Sequence, residues 1–270
     1  MNISLSWRYG TTFVLGIVLS FAVQPLLLHA ASEVALGATY AECDNLQLNN
    51  TWIFKQTSVG SPYAYWAQAD IYYVNYPLCT YGLIAPQQSG SSAWVAVEGG
   101  SGDIIQVGII KCPTNQNIWC AWNGVENGYV DWFYAFGKNN DPFYLPFPKS
   151  LGRATSGTHT YTLGLNGSGK WVFEVDFVIK GSIKDDWRDW NATKVAQSAE
   201  IVNEGDEIGG GPSAHQKFRN GNYLLTGSFT VHAITGDVQK VGHCFPWGVW
   251  SDGPNAADFD VWTTAYHTDC

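Results

Sequence analysis

The sequence predicts an all-β fold, an antiparallel sandwich of two sheets. Three observations carry that expectation. Glycine and large aromatics are abundant (Gly 29, Trp 13, Tyr 14) while charged residues make up only 14%, the composition of strands and turns rather than of helices. Short runs alternate apolar and polar residues with period two. No strand–helix–strand alternation appears, so the strands are expected to pair as antiparallel neighbours in stacked sheets.

The period-two runs fall at Ile71 to Val74, Trp94 to Glu98, Ile104 to Ile110, Tyr129 to Phe136 and Tyr161 to Leu165, with Gly, Asn, Pro or Ser between them. From Trp171 to Lys180, Trp171, Phe173, Val175, Phe177 and Ile179 are expected on one face, with Glu174 and Asp176 on the other. Leu225, Phe229 and Val231 repeat the pattern against Thr226, Ser228 and Thr230. The one expected helix lies around Asp189 to Ser198.

The chain opens with Arg8, a long apolar run from Phe13 to Leu28 and the small residues Ala30, Ala31 and Ser32. This is the pattern of a signal peptide, with cleavage expected near Ala30 or Ala31. Gln24 and Pro25 interrupt the run and His29 closes it, against a permanent membrane anchor. The expected organisation is a signal segment over 1–31 and one sandwich domain over 32–270, with N- and C-terminal extensions tied by disulfides. Removing the first 31 residues takes the formal net charge from -9 to -10, since they hold one positive residue and no acidic one. An acidic exported chain excludes nucleic-acid partners and stable membrane insertion from the expectation, and a secreted monomer is expected.

Cys43, Cys79, Cys112, Cys120, Cys244 and Cys270 all follow the signal. An even number in an exported chain reads as three disulfides. Proximity in sequence favours Cys43 with Cys79, Cys112 with Cys120 and Cys244 with Cys270. Without CxxC or paired-histidine spacing, neither a metal site nor a cofactor is expected.

The chemistry-bearing region is Trp94 to Ile110, where Gly99-Gly100-Ser101-Gly102-Asp103 joins two strand-like runs as a hairpin. A symmetric loop sets Trp94 opposite Gly108, Ala96 opposite Gln106 and Glu98 opposite Ile104. Val95, Val97, Ile105, Val107 and Ile109 then share the core face. Trp94, Glu98 and Gln106 share the other, where the small residues Ala96 and Gly108 leave the Gln106 amide within reach of a ligand; the alternative from pattern alone is that Gln106 hydrogen-bonds neighbouring groups on a partly covered sheet.

Trp94-Val95-Ala96-Val97-Glu98-Gly99, followed by Ile104-Ile105-Gln106-Val107-Gly108, resembles the tryptophan-valine-glycine and glutamine-threonine-glycine strands of the eqolisins, the secreted glutamic peptidases with a concanavalin-like sandwich. Ala199-Glu200-Ile201 is similar to that family's alanine-glutamate-tryptophan strand, and Trp119 to Phe136 resembles the aromatic strand that lines its cleft. Ala96, Glu98 and Ile201 stand where the family has glycine, aspartate and tryptophan. The resemblance implies Gln106 and Glu200 as the catalytic pair, with Trp94, Glu98 and Trp132 binding a peptide or protein substrate. Glu204 is a second candidate for the carboxylate, since it would project from the same strand side as Glu200. In such a pair the carboxylate activates water and returns the proton to the leaving nitrogen, while the amide stabilises the oxyanion, chemistry expected here to run in acid. The competing reading from another class is a non-catalytic, lectin-like sandwich that binds glycan.

Asp185-Asp186-Trp187-Arg188-Asp189-Trp190 reads as a solvated loop or helix start, Glu174 and Asp176 as an exposed strand face, and Phe245 to Trp250 as packing beside Cys244. Asn49, Asn166 and Asn191 each begin an N-glycosylation pattern.

Overall fold

A computed structural model describes residues 48–75, 78, 90–100, 102–112, 128–137, 148–183, 191–203, 215–241 and 247–263. Among these residues the chain forms strands and no helix. They are β1 (Leu48–Ser58), β2 (Ala64–Tyr72), β3 (Ser91–Gly99), β4 (Ile104–Lys111), β5 (Val130–Gly137), β6 (Lys149–Arg153), β7 (Thr158–Leu165) and β8 (Trp171–Val175). β9 (Val178–Ser182), β10 (Ala192–Asn203), β11 (Gln216–Leu225), β12 (His232–Ala233), β13 (Gln239–Val241), β14 (Trp247–Ser251) and β15 (Phe259–Thr263) complete the set. The signal segment, Glu204 and the Asp185 to Trp190 cluster lie outside the described residues. So do all the cysteines except Cys112, which is buried.

The strands form two antiparallel layers. One runs β13-β1-β10-β3-β4-β5-β6, and the other β14-β15-β11-β2-β7-β8-β9 with β12 beside β11. A single residue pair, Ala192 with Ala64, joins β10 to β2 and makes the ladder continuous between them. Apolar residues at every second position close the space between the layers. Val95, Val97, Ile105, Val107 and Ile109 come from the first layer, and Ala67, Ile71, Leu163, Phe173, Phe218 and Phe259 from the second. Lys55 ties the layers polarly: its buried ammonium donates to the carbonyls of Gly253, Ala256 and Asp258 at 3.0, 2.8 and 3.1 Å. That holds the β14–β15 connection against β1.

Three sequence expectations change. The expected helix at Asp189 to Ser198 is, from Ala192 on, the strand β10, whose residues pair with β1 on one side and β3 on the other; Asp189 and Trp190 lie outside the described residues. Ala, Lys and Gln favour helices in isolation, but hydrogen bonding on both edges overrides so weak a preference. The run Trp171 to Lys180 is two strands folded back at Asp176 and Phe177, with Val175 facing Val178. Both turn residues have positive φ, 52° and 63°, the geometry of a tight hairpin turn. Asp176 therefore leaves the strand face of Glu174 and instead accepts bonds from the His159 ring at 2.7 Å and the Thr160 amide at 3.0 Å. Finally, β11 stops at Leu225, and Phe229 stands 97% exposed in a turn region that has no partner strand among the described residues.

The hairpin turn yields a test. Phe177 is 71% exposed and left-handed, so it loses backbone energy without gaining packing. Phe177→Gly is expected to raise stability by about 1 kcal/mol in urea denaturation. An unchanged or lower midpoint would show that the phenyl ring holds the turn.

Candidate active site

β3 and β4 pair in the register expected from the hairpin: Trp94 opposite Gly108, Ala96 opposite Gln106 and Glu98 opposite Ile104. On the far side β5 continues the rows, with Ala135 opposite Gln106 and Phe133 opposite Gly108. On the near side β10 sets Ala196 opposite Ala96 and Ser198 opposite Trp94, and Glu200 lies between Ser92 of β3 and Trp52 of β1. Gln106, Glu98, Trp94 and Glu200 thus project from one face, the side of the first layer turned away from the interlayer core.

This face is not open. Trp94, Ala96, Phe133, Ala135 and Ala196 form a second apolar cluster, with Trp52 packed against it. Gln106 is only 1% exposed, which corrects the expectation of a ligand-accessible amide. The small residues beside it make room for the large rings of Trp94 and Phe133, which flank Gly108 from either side. Gly108 itself is required by the backbone, because a Cβ there would lie 2.0 Å from the Ala93 carbonyl oxygen. The Gln106 Nε2 has no hydrogen-bond partner among the described residues, an unusual condition for a buried amide.

Glu200 is also 1% exposed. Its Oε2 accepts from the Trp94 indole at 3.3 Å and from the Ser92 hydroxyl at 3.4 Å, and the Trp52 indole donates as well. Its Oε1 has no partner among the described residues. Burial pushes the pKa up from 4.5 to about 7, and the three neutral donors recover only part of that shift. Burial also raises Glu98, against the opposing pull of Lys194 at 3.7 Å and a hydrogen bond from Gln56 at 3.0 Å.

Gln106 and Glu200 are not ladder neighbours. They stand two strands and four residues apart, about 10 Å across and about 13 Å along the sheet, with Trp94 on the diagonal between them. Trp132, expected beside them, projects to the opposite side because its parity on β5 differs from that of Phe133 and Ala135. There it packs on the interlayer core, with the His159 ring edge-on at 5.5 Å and the Lys180 ammonium 5.0 Å from its ring. The residues that sequence reading missed are Trp52 and Ser92. The alternation of Trp52, Phe54 and Gln56 against Ile53 and Lys55 is the signal that marks β1.

No family model matches the chain, and the search of curated proteins found no match. Among solved structures it is similar to a scytalido-glutamic peptidase with a transition-state-analogue inhibitor, at 10% identity and a TM-score of 0.46, over 81% of this chain and 99% of that one. The likeness is distant. It is also similar to porphyranase B from Zobellia galactanivorans, at 11% identity and a TM-score of 0.32, over 57% of this chain and 64% of that one. A third is a family 16 glycoside hydrolase endo-glucanase from Bacteroides ovatus, at 9% identity and a TM-score of 0.34, over 77% and 78%.

The raised carboxyl pKa has a consequence for stability. The folded protein holds the Glu200 proton more tightly than the unfolded chain does, so below about 4.5 both forms are protonated and the group costs nothing. As pH rises through about 7 the unfavourable burial of charge grows to about 3 kcal/mol. Glu200→Gln is therefore expected to match the parent near pH 4 and exceed it by about that amount near pH 8, measured by denaturant unfolding. Parallel pH profiles for the two proteins would refute the buried-acid assignment.

Proposed function

We propose that this protein is a secreted, disulfide-bonded hydrolase of the glutamic-peptidase type, released by removal of residues 1–31. Glu200 is the proton-transfer group and Gln106 the donor to the carbonyl oxygen. The observation that carries the reading is a pair of buried polar atoms, Gln106 Nε2 and Glu200 Oε1, on one sheet face, each without a partner among the described residues.

In the reaction the Glu200 carboxylate takes a proton from the attacking water as oxygen bonds to the amide carbon. Donation from the Gln106 amide to the developing oxyanion requires the two side chains, about 10 Å across and about 13 Å along the sheet from each other, to converge on one carbonyl when the peptide binds. Collapse breaks the C–N bond, and Glu200 returns the proton to the leaving nitrogen. A peptide would lie across Trp94, between the two side chains, and reaches them only when the packing over this face opens, since Trp94 and Phe133 are themselves buried. Trp94 also orients the acid through its indole N–H, while Glu98 borders the Gln106 side of the site.

The pKa changes the expected pH range. A general base must be ionised, and burial moves that ionisation from the ordinary carboxylate range to about 7. Cleavage of an unfolded protein substrate is accordingly expected to rise with pH through about 7 rather than peak in acid. Glu200→Gln should abolish it, and Gln106→Ala should lower kcat by about a hundredfold. Digestion assays with folding-verified variants decide the matter. No cleavage by the parent at any pH, or cleavage untouched by both substitutions, would end the peptidase reading.

A further inference from the structure

The second layer also has an outward face, and its chemistry differs from that of the Gln106 face. Two adjacent rows cross it. Asn222, Gln68, Thr162 and Glu174 lie opposite one another across β11, β2, β7 and β8, and beside them run Leu224, Trp66, Gly164 and Val172. Trp66 lies over Gly164: a Cβ at that glycine would fall 2.9 Å from the indole Cδ1. The Cδ1 edge of the indole therefore occupies the space that a side chain at this position would need.

Neither Trp66 nor Glu174 has a hydrogen bond, ion pair or ring contact among the described residues, although both are only half-buried. Gln68 uses its Oε1 to accept from Thr162 at 3.4 Å, which orients the amide and leaves Nε2 available. An indole seated against a glycine thus stands beside an amide donor and a carboxylate acceptor, all held in register by the ladder.

We propose that this face binds a neutral glycan, with the C–H face of a sugar ring on Trp66 and its hydroxyls bonded by Gln68 and Glu174. Each sugar ring presents the combination these side chains complement, an apolar face rimmed by donors and acceptors. The charge is consistent: these two rows contain one carboxylate and no cation, which disfavours sulfated or phosphorylated polymers. An extended peptide is a poorer occupant, because the backbone groups of these interior strands are already paired and have no ladder to offer it. The site is separate from the proposed hydrolytic one and does not depend on it.

Affinity electrophoresis of the full chain through gels containing mixed-linkage β-glucan, glucomannan or galactomannan tests this, with carrageenan as the sulfated control. Retardation by at least one neutral polymer is expected. Trp66→Ala should weaken it at least about tenfold. Gln68→Ala should weaken it several-fold and covers the case in which the tryptophan variant misfolds, while Gln106→Ala should leave it unchanged. The proposal is overturned by no retardation in any neutral gel, by retardation in carrageenan alone, or by retardation that survives Trp66→Ala and Gln68→Ala.

Discussion

The register of the β10–β3–β4 ladder is the constraint on which the rest of the structure depends. A shift of one residue would exchange the faces of every side chain along it. Val95, Val107 and Val195 would leave the core, and Gln106 and Glu200 would enter it. The short link between β3 and β4 sets the β3–β4 part of that register. The Gly99 amide donates to the Asp103 carbonyl at 2.8 Å and the Gly102 amide to the Gly99 carbonyl at 3.1 Å, with Gly102 at a φ of 86° that favours glycine. That link fixes β4 on β3, while the surroundings of Glu200 also need the long-range pairing of β10 with β3 and with β1.

Local signals explain what could be read in advance. The β3–β4 hairpin was legible because two alternating runs flank a glycine-rich link, and its pairing follows from the turn alone. The position of Glu200 was not, because its row depends on pairing between strands about a hundred residues apart, which alternation does not encode. Trp132 shows the limit of motif likeness: neighbouring aromatics on one strand point to opposite faces, and resemblance to an aromatic strand does not say which of Trp132 and Phe133 faces the site. The β8–β9 turn was hidden for a different reason. Asp176-Phe177 lacks the glycine or asparagine that normally announces positive φ.

The carboxylates show how the fold distributes charge. Asp131 has Arg153 at 3.6 Å and Asp260 has Arg219 at 2.5 Å, so each meets a cation. Lys55, buried as deeply, is satisfied by three carbonyls with Asp252 at 3.9 Å. Glu200 is held by indole and hydroxyl donors, which lower a carboxyl pKa far less than an adjacent cation does. Burial without an adjacent cation thus accounts for a Glu200 pKa raised to about 7.

A tryptophan laid over a glycine occurs twice on the second layer, and the two cases differ in what covers the indole. Trp262 lies over Gly248, where a Cβ would fall 2.3 Å from its ring, and the His215 imidazole stacks on it at 3.8 Å and 5°. Asp260, 3.6 Å from that imidazole, holds it in place. The protein thus supplies its own planar partner for Trp262. Trp66 has the same glycine floor and no ring partner among the described residues, and the groups nearest to it in the ladder are hydrogen-bonding side chains rather than a second ring. One backbone device therefore appears twice: at Trp262 it completes an internal stack, and at Trp66 it seats an indole that has no ring partner among the described residues.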